Sequence, residues 1–239
     1  MFHQFSSTEE LYGFLDGVTA TIVILFTIFF TIVVLNKSRK VKAKLLTYGA
    51  LMGGCAGALW LGPCVNFIFV FFYDTPLDPI ELYGILSYMW VAPALIFAMY
   101  IGAELMMPHR KKLLLIIYVT AGIIFELFLF LDMRNAFHFE MEGNYADSSF
   151  VYGHPAFLLI AFFLASVFII VGLGSLRKAL QSTGFVRKRF LYLTTSIMLF
   201  IVVGASDSLI NPGPVLFVMR IGMIISAVCI YKALKPSLE

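Results

Sequence analysis

The chain has 239 residues; 61% are hydrophobic, only 13% are charged, and the mean hydropathy is +0.94. Soluble domains run roughly 45–50% apolar and about 25% charged, so this composition excludes a soluble enzyme, a disordered regulator and a nucleic-acid-binding domain. The net charge of +3 conceals how unevenly the charges lie along the chain.

A membrane helix needs about 20 mostly apolar residues. Seven such stretches follow one another, at about 12–35, 46–72, 84–107, 113–132, 155–176, 190–210 and 214–232. Their apolar runs are continuous rather than alternating, which predicts helices and not a β-barrel. The connections are short, so the expected architecture is one all-α seven-helix transmembrane domain over residues 1–239. The first stretch has no basic segment before it and too long an apolar run for a cleaved signal peptide.

In the second stretch Gly49, Gly53 and Gly57 share one helix face, where a neighbouring backbone can approach closely. They serve either as packing within the bundle, the favoured reading, or as a homodimer seam. Gly62-Pro63 and, in the third stretch, Pro93 predict kinks. Tyr12-Gly13, Tyr83-Gly84 and Tyr152-Gly153 mark three helix starts on one side, read as an aromatic belt in preference to the remnant of a repeat. Between the fourth and fifth stretches, Phe137, Phe139 and Met141 alternate with His138, Glu140 and Glu142 before Gly143-Asn144. That pattern predicts a short hairpin over the mouth of the bundle, with the polar residues on one face. A metal held there is the weaker reading against a solvated strand edge.

Orientation follows the placement of Lys and Arg. All of the 17 except Arg134 and Arg220 fall in the loops and tail on one side, while most acidic residues, from Glu9 to Asp147, lie on the other. The expected topology has the N-terminus outside and the C-terminus in the cytoplasm, in the plasma membrane. Cys55, Cys64 and Cys229 all fall inside spans, so no outer disulfide is expected.

Ionisable groups inside spans are costly and are paired or functional. The candidates are Asp16, Glu104, Glu126, Asp207 and Arg220. Arg220 lies roughly 12 Å in from Pro212 and Asp207 about 6 Å in from Asn211. Their side chains lean toward each other, which predicts an Arg220–Asp207 ion pair with Asp16 as second choice. The pair is either a clip between helices or an anion anchor at the floor of an outward cavity. Glu126 is expected to face Tyr88 or Ser87, or to be neutral, and Glu104 to reach Arg110 or Lys111. Trp60, Asn66, Tyr88 and Trp90 are candidate cavity walls.

No span holds two His, and neither a phosphate-binding loop nor a dinucleotide fingerprint occurs. No catalytic motif, haem or metal site is therefore expected. Span count, length and orientation resemble the microbial rhodopsins, and Val215–Gly222 is similar to the seventh-helix segment that carries their retinal lysine. Arg220 stands near that lysine and cannot form a Schiff base, so the resemblance implies a sensor-like layout without retinal. Tyr88, Trp90 and Pro93 resemble the rhodopsin third helix at different spacing, without its counter-ion Asp. The layout is also similar to small sugar carriers built of three-span repeats and to uncharacterised archaeal membrane proteins.

The expected function is a receptor-like protein binding a small or amphipathic molecule and signalling through a cytoplasmic partner or anionic lipid at its basic loops. The alternatives are a small-solute transporter or channel, and a structural subunit docking through the glycine face.

Overall fold

The computed structural model describes residues 8–142, 144–207 and 215–236, and at Thr8, Glu9, Glu142 and Asp207 the backbone only. The helices are α1 (Thr8–Lys40), α2 (Lys44–Ala58), α3 (Leu61–Tyr73), α4 (Glu81–Tyr88), α5 (Val91–Met106), α6 (Lys111–Leu131) and the single turn α7 (Met133–Ala136). Strands β1 (Phe137–Glu142) and β2 (Tyr145–Phe150) follow, then α8 (Pro155–Val167), α9 (Gly174–Gln181), α10 (Gly184–Asp207) and α11 (Val215–Leu234). A π-helical segment, Phe168–Leu173, joins α8 to α9.

Six of the continuous helical stretches are long and apolar enough to cross a membrane. The pair α2–α3 makes a seventh if it is counted as one span, and it bends by 44°. The expected second span is therefore not one continuous helix. Pro63 has no N–H to give the Leu59 carbonyl, and the chain breaks just ahead of it, at Leu59–Trp60. Trp60 stands at φ −93°, ψ 13°. The third span repeats the device. Pro93 is the third residue of α5, and Trp90 precedes that helix at φ −91°, ψ −9°. Trp60-Leu61-Gly62-Pro63 and Trp90-Val91-Ala92-Pro93 thus end one helix and begin the next in the same way.

The α4–α5 span is the centre of the bundle. Half of its most apolar window is buried, against 28% for α1 and for α6. It packs on α2, α6, α8 and α9, while α1, α10 and α11 close the other side. The outward faces stay apolar: Ile22, Leu25 and Phe29 of α1 and Ile116, Ile123 and Phe130 of α6 are all exposed. Such faces are at home in hydrocarbon and not in water.

The glycine face of α2 is filled from within the chain. A Cβ at Gly49 would sit 2.5 Å from Leu234 of α11, and one at Gly57 would sit 2.0 Å from the Thr27 hydroxyl of α1. Gly53 faces Phe30. The stripe thus packs within the chain, against α1 and α11, as in the favoured reading.

The hairpin forms as expected. Its strands pair antiparallel, with Phe137 opposite Phe150 and Glu140 opposite Asp147. Phe137 and Phe150 are buried, and His138 and Glu140 are exposed. Glu142 and Gly143 lie outside the described side chains. At the foot of the hairpin, Asp132 accepts from Asn135 at 2.6 Å and meets His154 Nε2 at 3.2 Å. His154 Nδ1 accepts from the Ala156 N–H, capping α8. His154 thus ties the two ends of the loop together and is taken up there, away from the exposed His138–Glu140 face.

Candidate functional site

Beneath the hairpin lies a cavity of about 130 Å³. Its floor carries Arg220 of α11, whose guanidinium is hydrogen-bonded and ion-paired to Asp16 of α1. Both are withdrawn from solvent, with side-chain exposures of 5% and 16%. The guanidinium carbon also stands 4.7 Å from the ring centroid of Trp60, close enough for a cation–π contact. Trp60 itself is 3% exposed.

Sequence positions these groups by packing. Gly17, next to Asp16, lets α1 close on α3, since a Cβ there would be 2.4 Å from Phe67 Cβ. Asp16 is thereby brought against the helix break that carries Trp60. Asp16 was the second choice of partner because its side chain leans away toward the start of α1. The long Arg220 stem leans the same way from deeper in the bundle and crosses that step. The Asp207 side chain, the first choice, lies outside the described residues.

The walls come from both broken spans. Leu59, Trp60 and Pro63 line the cavity on one side, and Tyr83, Ser87, Tyr88, Val91 and Leu95 on another. Ile160 and Leu164 of α8, Phe200 and Gly204 of α10 and Leu216 of α11 complete them. The roof is β2, through Asp147, Ser148 and Phe150. Tyr88 fastens that roof: its hydroxyl donates to the Ser148 carbonyl at 3.1 Å and lies equally near the Ser148 hydroxyl. Its ring stacks on Phe137 at 4.5 Å and meets Phe150 at 4.8 Å.

Of the expected wall residues, Trp60 and Tyr88 join Arg220 at the cavity. Three others do not. Asn66 is 2% exposed and accepts the Leu77 N–H at 2.9 Å, clamping the α3–α4 connection. Trp90 marks the second helix break, and its buried indole N–H has no hydrogen-bond partner among the described residues. Glu126 is not among the described residues lining the cavity; there Tyr88 bonds Ser148 and Ser87 donates to the Tyr83 carbonyl at 2.8 Å. One carboxylate oxygen of Glu126 is buried without a partner. Glu104 behaves as expected and meets Lys111 at 2.7 Å.

Ser148, Phe150 and Phe200 carried no signal of their own in the sequence. The shared Trp-x-x-Pro spacing did, since it marks both helix breaks and both border the cavity. Among the described residues, no group of three or more His, Cys, Asp or Glu is placed to hold a metal.

Comparison with family models, with curated proteins and with solved structures finds no match. The function is therefore argued from the site itself.

Proposed function

We propose that the chain is a receptor-like, multi-pass protein of the plasma membrane, with α2–α3 as one bent span of seven. In this reading the hairpin end faces outward and the basic loops face the cytoplasm, following the distribution of Lys and Arg. The cavity binds a small molecule from outside, and the basic loops pass the response to a separate partner or to anionic headgroups. No catalytic role is assigned to it.

The observation that carries this reading is the Asp16–Arg220 pair, held at the floor of a roofed cavity. Burying two charges is expensive unless they are well paired, and here they are paired beside open space instead of inside a filled core. The volume sets the scale of the ligand. A cavity of about 150 Å³ accommodates benzene, so about 130 Å³ suits a comparably small molecule and not retinal.

The test is a melting-temperature screen of the purified protein in detergent against small polar and aromatic compounds. A saturable, ligand-dependent rise that is lost in Arg220→Met supports the reading. A rise that persists in Arg220→Met places the ligand elsewhere, and no rise with any compound removes the receptor-like function.

A further inference from the structure

A second, smaller cavity of about 30 Å³ lies in line with the first, nearer the basic end of the bundle. The same helices build both. On α11, Arg220 borders the outer cavity and Ser226 the inner one; they are six residues apart, roughly 9 Å along the axis. On the second span, Leu59 and Trp60 border the outer space, while Gly53, Ala56 and Gly57 border the inner. The helix break thus falls at the level between them. Among the described residues one side chain lines both cavities: Phe200 of α10.

We infer that the two cavities are chambers of a single passage for small uncharged polar solutes, with Phe200 as the gate between them. This rests on the reading of the outer cavity as a binding site and adds transport to it.

Discontinuous helices bordering a mid-bundle cavity recur in membrane carriers, where the interrupted spans build the substrate site. An aromatic constriction can close such a path by excluding water. Hydroxyl groups continue beyond the gate. Thr27 and Ser226 line the inner chamber, and Ser226 and Ser196 exchange reciprocal hydrogen bonds at 2.8 Å across α10 and α11. One turn past Thr27, the buried Thr31 hydroxyl has no hydrogen-bond partner among the described residues. Toward the basic end, Phe30 stands edge-on to Tyr231, with Lys37 5.5 Å from the Tyr231 centroid.

The chemistry selects neutral molecules. No charged group is among the described residues lining the inner chamber, so an ion entering it would lose its hydration without compensation. The outer chamber presents Arg220 paired with Asp16, and Asp147, whose carboxylate accepts the Ser148 N–H at 2.7 Å; these charges of both signs offer polar contacts to a neutral molecule. A small alcohol or amide carries its own donors and acceptors past the hydroxyls.

Stopped-flow light scattering of proteoliposomes under glycerol and urea gradients tests this, with potassium flux as the charged control. Wild type is expected to exceed protein-free vesicles. Phe200→Ala should raise the rate roughly tenfold, the response to about 1.4 kcal/mol of barrier, and Phe200→Trp should lower it. Phe200→Leu, checked for an unchanged melting temperature, stands in if the Ala variant does not fold.

Wild-type rates equal to protein-free vesicles overturn the passage, even if Phe200→Ala leaks. Potassium flux matching glycerol flux overturns the neutral-solute assignment. Loss of the passage with ligand-dependent melting intact leaves the outer cavity as a closed binding site. Loss of both removes the receptor-like reading as well.

Discussion

The second span behaves differently on its two sides of Leu59. Toward the basic end, Gly49, Gly53 and Gly57 bring α2 against α1 and α11, and beside them lies a chamber of about 30 Å³. Toward the hairpin end, Trp60 and Pro63 turn the chain by 44° and a cavity of about 130 Å³ opens. Small residues close the seam, and a large ring with a proline opens it. The place of the cavity is thus set by a change of residue size along one span.

The largest expected effect tests what makes the open half stable. Asp16→Asn takes the Asp16 carboxylate away from the buried Arg220, and breaking a buried pair costs up to about 3–5 kcal/mol. Chemical unfolding in detergent micelles should show that loss, with partial recovery in Asp16→Asn/Arg220→Met. A single variant as stable as wild type would mean that the pair contributes nothing to holding the open half together.

Next come two alanine substitutions on either side of the break. A Cβ at Gly62 would meet the Tyr83 backbone carbonyl at 2.5 Å, besides the Ser87 hydroxyl. One at Gly57 would meet the side chain of Thr27 first, at 2.0–2.5 Å. Each overpacked site should cost about 1–3 kcal/mol. Thr27→Ala should rescue Gly57→Ala, whereas Ser87→Ala should not rescue Gly62→Ala, because a carbonyl cannot be trimmed. Equal rescue at both sites would erase the distinction between a side-chain seam and a backbone contact.

Smaller again is the roof. Tyr88→Phe keeps the rings on Phe137 and Phe150 and removes the bond to Ser148. The expected loss is about 1 kcal/mol, with faster amide exchange in β2 than in α2. Unchanged exchange in β2 would show that the aromatic stack alone holds the roof.

What the sequence made legible was mostly local. Span limits, the hairpin and the proline breaks follow from hydropathy, alternation and a missing N–H, all readable within one segment. That Asp16 meets Arg220 was readable only as a second choice, because it depends on how closely two distant helices approach, and Gly17 lets α1 come near. Helix faces were also hidden. A water-soluble helix declares its buried side by polarity, but α1 and α6 are apolar around most of their circumference. Hydropathy could not separate α5, at the centre, from helices such as α1 and α6 with exposed apolar faces, nor mark Phe200 as a residue lining both cavities. Asn66 and Trp90 were misplaced for the same reason: residue type showed that they were unusual, not which way they faced.

The smallest predicted effect is a pH response confined to the hairpin end. Asp132 sits just past α6, outside the spans, and its carboxyl is held below the usual range, first by the Asn135 amide and then by His154. Because His154 Nδ1 accepts the Ala156 N–H, its Nε2 carries the proton that reaches Asp132. A carboxyl with a lowered folded-state pKa binds its proton more readily in the unfolded chain. Its contribution is therefore complete above the ordinary value of about 3.9 and is lost as pH falls through the lower folded value. Acidification below about pH 4 should loosen the hairpin and the start of α8 while the α2–α11 seam keeps its protection. Asp132→Asn should remove that acid-dependent change and leave a hairpin already loosened at neutral pH. Amide exchange measured at both ends distinguishes the cases. Acid loosening of equal size in Asp132→Asn would assign the response to other carboxyl groups of the outer loops, and loosening at both ends would mean that the two halves do not open independently.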